Sequence, residues 1–304
     1  MADYIASVED GVEHSGVLRY WSSKQELHKP EEMEAVPKKS VSVVLINLLD
    51  GKQENICREI VKRYPYSSYQ FVLYSSSIDK AWVEFACSLK RLDTVMIRKK
   101  LEDDSIPLFQ KLVDGRKLSW LPINEEACEG GIEEILKSLF CQDQFKHLQI
   151  RNDLEGPWKS TTVRDLLQFW SENGEKLRGA RLTVSGNCGD GVDQLEQFVL
   201  HRAAINTRGG TSEIKTRNVL TLCSKEECDF INKYYQHHNF RFITPSCVYK
   251  FEEGKGDDQR KLYISFSCAH GKNRANGRYG SGSREGVNDL SLMRGTKLLH
   301  VVFG

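Results

Sequence analysis

The chain has 304 residues, of which 39% are hydrophobic and 28% charged, and its formal net charge is +1. That length allows one large domain or two smaller ones with a real core. The near balance of 43 basic and 42 acidic residues excludes a global attraction to nucleic acid or to a membrane surface.

Met1-Ala2-Asp3-Tyr4 lacks a basic stretch followed by an apolar run, so no secretory leader is expected. The best apolar run, Val41 to Leu49, is broken by Ser42 and Asn47. It falls short of the roughly 20 apolar residues of a membrane helix. A cytoplasmic or nuclear location follows as the expectation. The nine cysteines are odd in number and scattered, which argues against a disulfide framework and for reduced thiols packed as small core residues.

Residues 1–40 are rich in acids and polar residues, contain Pro30 and Pro37, and show no sustained period, so they read as a flexible N-terminal tail. From Ser40 onward short apolar runs alternate with amphipathic stretches. Strands are predicted near 41–47, 70–74, 94–98, 118–123, 146–151, 181–185 and 218–222. Helices are predicted near 78–90, 104–113, 131–140, 161–173, 190–203 and 225–235. Val163, Leu166, Leu167 and Trp170 fall on one helical face, and Ser224 with Glu227 fits a capping box.

The strands share a pattern: Leu92-x-x-Val95-x-Ile97, Leu118-x-x-Leu121-x-Ile123 and Phe145-x-x-Leu148-x-Ile150, with central residues 26 and 27 positions apart. A fourth copy, Leu182-x-Val184-x-x-Asn187, follows after 34 and carries the asparagine of the leucine-rich-repeat template. This predicts an α/β fold, an irregular leucine-rich-repeat-like strand–helix solenoid over 41–236 in which stacked units bury each other's apolar edges. An ordinary open α/β sheet is the alternative. After His238 the texture changes. Phe240 to Glu252 and Arg260 to Cys268 alternate apolar and polar around the turn-rich Glu253 to Asp258, which predicts an antiparallel β-hairpin. With Leu298 to Phe303 it would cap the solenoid over 237–304. Within that cap, 270–286 combines Lys272, Arg274, Arg278 and Arg284 with glycines and reads as a flexible Gly/Arg-rich loop.

Two stretches, FWSENGEKLRGARLTVSGNCGDGVDQLEQFV (Phe169 to Val199) and EECDFINKYYQHHNFRFITPSCVYKFEEGKGDDQRKLYISFSC (Glu226 to Cys268), resemble the nematode families of F-box-associated proteins. The resemblance implies a repeat-like recognition domain that presents targets to a ubiquitin ligase, with ligase core subunits among its partners. Leu18-Arg19-Tyr20-Trp21 is not followed by the periodic helices of an F-box, so the resemblance covers the recognition half.

Cys268 to Arg274 has the spacing of a cysteine-phosphatase loop, with Asp257 or Asp258 as acid. The run after Arg274, Ala-Asn-Gly-Arg-Tyr-Gly-Ser-Gly, cannot form the helix whose N-terminus would hold phosphate. A second match, Cys57 to Arg63, falls in a predicted helix, as chance matches do. Gly186 to Gly191 reads as a tight strand-to-helix turn, since it lacks the Lys-Ser/Thr of a P-loop. Cys223, Cys228, His237, His238 and Cys247 lack zinc spacing, because Cys228 and His237 would stand about 13 Å apart along one helix. No metal or cofactor is expected. Arg274, Arg278, Arg284 and Tyr279 could contact RNA weakly.

The expectation is a protein-binding or adaptor module, not an enzyme, with cysteine-phosphatase chemistry at Cys268/Arg274 and weak RNA binding through 270–284 as alternatives. In the repeat pattern, positions 3 and 5 point away from the core. They nominate Thr94, Met96, Trp120, Pro122, His147, Gln149, Arg181 and Thr183 as one recognition face, with Trp120 as the anchor.

Overall fold

The structure is a computed structural model that describes residues 2–9, 12–20, 24–27, 36–50, 53–153, 156–206, 215–234, 246–254, 259–267 and 289–304. Two compact units divide the chain, 1–145 and 146–304. Among the described residues, no helix is long and apolar enough to cross a membrane.

The first unit begins with β1 (Ala2–Glu9), β2 (Val12–Tyr20) and β3 (Lys24–Leu27). It continues β4 (Val41–Leu48), α1 (Glu54–Arg63), β5 (Ser68–Leu73), α2 (Lys80–Ser88), β6 (Leu92–Ile97), α3 (Ile106–Asp114), β7 (Trp120–Asn124) and α4 (Ile132–Phe140). The strands lie in the order β3-β2-β1-β4-β5-β6-β7. The hairpin pairs β1/β2 and β2/β3 are antiparallel, whereas β1/β4, β4/β5, β5/β6 and β6/β7 are parallel.

Residues 1–40, expected to be a tail, therefore supply three strands. The reason is a period-two pattern built from small residues: Ala2, Tyr4, Ala6 and Val8 are buried while Asp3, Ile5 and Ser7 are less so. Two alanines in the buried set weaken the strand signal without removing the alternation. Ion pairing fastens the hairpin. The Arg63 guanidinium on α1 donates to both carboxylate oxygens of Glu13 on β2, at 3.1 and 2.8 Å, and the Tyr4 hydroxyl also donates to Glu13. Edge-to-face contacts of Phe71 on β5 with Trp82 (5.6 Å) and Phe85 (6.4 Å) join α2 to the sheet.

The second unit contains β8 (His147–Asn152), α5 (Thr162–Leu177), β9 (Arg181–Gly186), α6 (Gly189–Asn206), α7 (Thr216–Val219), β10 (Thr221–Leu222) and α8 (Lys225–Tyr234). They are followed by β11 (Ser246–Glu253), β12 (Arg260–Ser267) and β13 (Leu298–Phe303). Its strand order is β10-β11-β12-β13-β9-β8. Only β8/β9 is parallel here; β9/β13, β13/β12, β12/β11 and β11/β10 are antiparallel.

This order overturns the solenoid. A solenoid stacks each unit on its sequence neighbours, but the last strand of the chain lies between β9 and β12, with His300 facing Thr183 on one side and Ser265 on the other. The class is α/β and the sheets are mixed. The β11/β12 hairpin is likewise an integral part of the sheet and not a terminal cap, because β12 is hydrogen-bonded on both edges.

One face of this sheet, carrying Leu148, Ile150, Leu182, Val184, Leu299, Val301 and Phe303, is fully buried. Trp170 of α5 packs against Phe303 (6.4 Å) and against Phe198 of α6 (6.3 Å). The helical stripe Val163, Leu166, Leu167 and Trp170 is buried as its spacing requires. The capping box forms: the Ser224 amide donates to Glu227 (2.8 Å) and the Glu227 amide to Ser224 Oγ (3.3 Å).

The turn from β9 to α6 depends on one glycine. Gly186 has φ +90°, and a Cβ there would stand 2.1 Å from the Asn152 carbonyl oxygen. Gly186→Ala is therefore expected to cost at least about 2 kcal/mol. Urea denaturation of the full-length variant checks this; an unchanged midpoint would contradict it.

Candidate functional site

The nominated recognition face is only partly accessible. In the first unit Thr94, 3% exposed, is covered, and Pro122 is buried, while Met96 and Trp120 are half-buried. Thr94 and Trp120 are register partners on β6 and β7, and Trp120 is engaged in contacts within the protein. Tyr74 and Arg98 directly follow β5 and β6, and Asn124 ends β7. The Arg98 guanidinium lies 5.9 Å over the Tyr74 ring and donates to Asn124 Oδ1 at 3.3 Å. Carboxyl ends of parallel strands are where open α/β sheets place ligands, and here this fork already holds side chains of the protein.

In the second unit Arg181 and Thr183 are buried, whereas His147 and Gln149 are half-buried. The sheet brings these four together on the face opposite α5 and α6. His147 is the cross-strand partner of Arg181, and Gln149 that of Thr183. His147 Nε2 lies 2.8 Å from Thr183 Oγ1, which in turn lies 2.8 Å from His300 Nδ1 on β13. One hydroxyl thus joins two imidazoles, donating to one and accepting from the other. Gln149 Nε2 donates to Ser185 Oγ at 3.0 Å, extending the polar surface by one more rung.

His300 was not anticipated. Its signal was available: a single titratable side chain inside Leu298-Leu-His-Val-Val-Phe303, an otherwise apolar strand. It is 3% exposed. Burial, followed by the positive potential of His147 and Arg181, holds its imidazole well below the ordinary histidine range. Burial also brings the Arg181 guanidinium down to about 10, within a range where it still carries its charge at neutral pH.

Further along the same face, α8 covers the sheet. Ile231 packs with Cys223, Tyr263 and Val302, and Cys228 and Val248 lie against that cluster. The other side of α8 is different. Phe230 and Tyr234, one turn apart, are 43% and 59% exposed, with ring centroids 4.8 Å apart. The Lys233 ammonium lies 4.9 Å over the Tyr234 ring. Leu222, on the short edge strand β10, is also exposed. The helical spacing of Phe230 and Tyr234, out of phase with Ile231, was the legible signal for this surface.

Other motifs resolve differently. Cys268, Arg274, Asp257 and Asp258, the whole of 270–286 and its Gly/Arg tract, and His237 and His238 lie outside the described residues. Cys57 and Arg63 share the helix α1, and burial pushes the Cys57 thiol up to about 12, far from a nucleophile. Cys223 is likewise pushed up to about 12, first by burial. Among the described residues no group of three His, Cys, Asp or Glu side chains is placed to hold a metal. The glycine turn after β9 is occupied by Trp158, whose amide donates to Asp190 Oδ2 (2.6 Å) and whose indole donates to the Asn187 carbonyl (2.8 Å).

No family model matches the chain, and no curated protein matches it. Among solved structures, a family 18 chitinase from Crocus vernus is similar at 13% identity over 51% of this chain and 73% of the chitinase chain, with a TM-score of 0.23. A likeness of that size carries no argument about fold or activity.

His300 gives the fold a defined pH dependence. Its folded pKa lies below the unfolded value of 6.5. Above pH 6.5 both states are neutral and nothing is lost. Below it the unfolded chain takes up a proton that the folded protein refuses, so stability falls as the pH drops, by up to about 1.4 kcal/mol per pH unit for this group. Thermal unfolding between pH 7.5 and 5.0 should show this slope, and His300→Gln should flatten it. Equal slopes in the two proteins would contradict the assignment.

Proposed function

We propose that this protein is a recognition module for another protein, with the exposed side of α8 as its contact surface. The pairing of Phe230 with Tyr234 carries the reading. Isolated exposed apolar residues are ordinary on any surface. Two aromatic rings in contact on one helical stripe, with a lysine over one of them, form an ordered patch of the residue types that dominate interface energetics.

Ile231 and Cys228 hold the helix to the sheet from the opposite side. Pre-arranged rings also lose little side-chain freedom when a partner covers them. The proposed contact lies on a helix and not on the strand face, because Thr94, Arg181 and Thr183 are too deeply covered to meet a macromolecule. The resemblance of Phe169 to Val199 and Glu226 to Cys268 to F-box-associated proteins supports the same class of function and puts ubiquitin-ligase subunits, and proteins delivered to them, among the partners to look for.

Tagged wild-type protein and a Phe230→Ala/Tyr234→Ala double variant, purified side by side from cells of the source organism, test the reading. Wild type should recover one or a few proteins in stoichiometric amounts. The double variant should lose them, with affinity for the purified partner falling about a hundredfold and the melting temperature unchanged. The same proteins at the same yield with the variant would overturn this surface as the site.

A further inference from the structure

Two cysteines flank the cap of α8. The reciprocal hydrogen bonds between Ser224 and Glu227 identify Ser224 as the cap and Glu227 as the third helical residue. The Cys228 amide donates to the Ser224 carbonyl at 3.0 Å, which is the first hydrogen bond of the helix. Cys223 therefore precedes the cap by one residue, and Cys228 is the fourth residue of the helix. These are the two positions whose side chains pack together in a hydrophobic staple. The Cys223 amide donates to the Val248 carbonyl on β11 at 2.9 Å, which fixes the strand side of the staple.

The packing agrees with the spacing. Cys223 belongs to the buried cluster of Ile231, Tyr263 and Val302, and Cys228 packs against that cluster. Cys228 is also among the groups that hold the Cys223 thiol protonated, so the two sulfurs lie within electrostatic reach of each other. Both are free thiols. They differ in access: Cys228 is half-buried, whereas Cys223 is 7% exposed and its thiol is pushed up to about 12, first by burial. An oxidant arriving from solvent meets Cys228 first, with a second thiol on the same turn.

We propose that Cys223 and Cys228 form an oxidative modification site, at which hydrogen peroxide converts the staple into a disulfide. In the first step the Cys228 sulfur attacks one peroxide oxygen. The O–O bond breaks, leaving a sulfenic acid at Cys228 and one water. In the second step the Cys223 sulfur attacks the Cys228 sulfur. The S–S bond forms, the S–O bond breaks, and the departing hydroxide takes the Cys223 thiol proton as a second water. The two thiols lose two electrons and the peroxide gains them. The proton held on buried Cys223 slows the second step, and the position of Cys223 beside the cap offsets this by proximity. The product ties the first turn of α8 covalently to the chain that enters it from β10. The modification is independent of partner recognition by the exposed side of the helix.

Dilute intact protein, fully reduced and then treated with hydrogen peroxide at neutral pH, tests the site. Peptide mapping by mass spectrometry should join Cys223 to Cys228 with the loss of two hydrogens, and dithiothreitol should reverse the change. Amides in the first turn of α8 should exchange about tenfold more slowly in the oxidised protein. In Cys223→Ser, the sulfenic acid at Cys228 should accumulate and be trapped by dimedone, while wild type yields little of that adduct. The wild-type map alone decides the question if the variant does not fold. Cys228 recovered as a sulfenic or sulfinic acid without linkage to Cys223, Cys228 joined to another cysteine instead, or both thiols unmodified while the exposed Cys141 is oxidised, would each overturn the site.

Discussion

The second unit depends on one strand. β13, the last six residues before the terminal glycine, lies between β9 and β12 and pairs with both. Take it away and β8/β9 with its two helices has no sheet connection to the β10–β12 strands. The β10–β12 strands would then be a three-stranded piece, near the limit of what is stable alone. β13 also supplies Phe303, which stacks on Trp170, and His300, which completes the polar chain through Thr183. A strand that closes a sheet so far from its partner β9 in sequence carries a large loop-closure cost, which is recovered only when both edges pair and the apolar face meets α5 and α6.

The same placement explains why a polar cluster can exist inside the sheet. The face that packs α5 and α6 is apolar without exception at Leu148, Ile150, Leu182, Val184, Leu299, Val301 and Phe303, so the unit has enough core to tolerate polar groups on its other side. There the hydroxyl of Thr183 connects two imidazoles with good geometry, and buried polar groups that are hydrogen-bonded carry little of the penalty they would otherwise impose. The α8 surface follows a different logic. Its inward side, with Ile231, packs on the sheet, and its outward side carries the exposed, mutually contacting rings of Phe230 and Tyr234.

Much of the local structure was legible. The positions that define the repeat pattern, Val95, Leu121, Leu148 and Leu182, are all fully buried, and the helices between them lie where their apolar spacing puts them. The pattern was real but its cause was not a solenoid. A strand and a covering helix joined by short loops produce the same spacing whether units stack as repeats or as crossover connections in a mixed sheet, and local periodicity cannot distinguish the two. What decides between them is long-range pairing: β13 with β9, and β1 with β4. The first is set by which edge the final strand finds, and the second was hidden because Ala2 and Ala6 are poor strand markers. The functional residues divide along the same line. His147 and Thr183 were legible as a pair on one face, whereas His300, brought to them from the far end of the chain, was not.

Amide hydrogen exchange of the intact native chain, read at β13 and β9 together, tests this dependence most directly. If β13 is a central strand, the amides of Leu299, Val301 and Phe303 exchange as slowly as those of β9 and lose protection with them in one cooperative unit. If β13 amides exchange rapidly, as a fraying terminus would, while β9 stays protected, then the last strand does not hold the sheet together, and the position of His300 beside Thr183 falls with it.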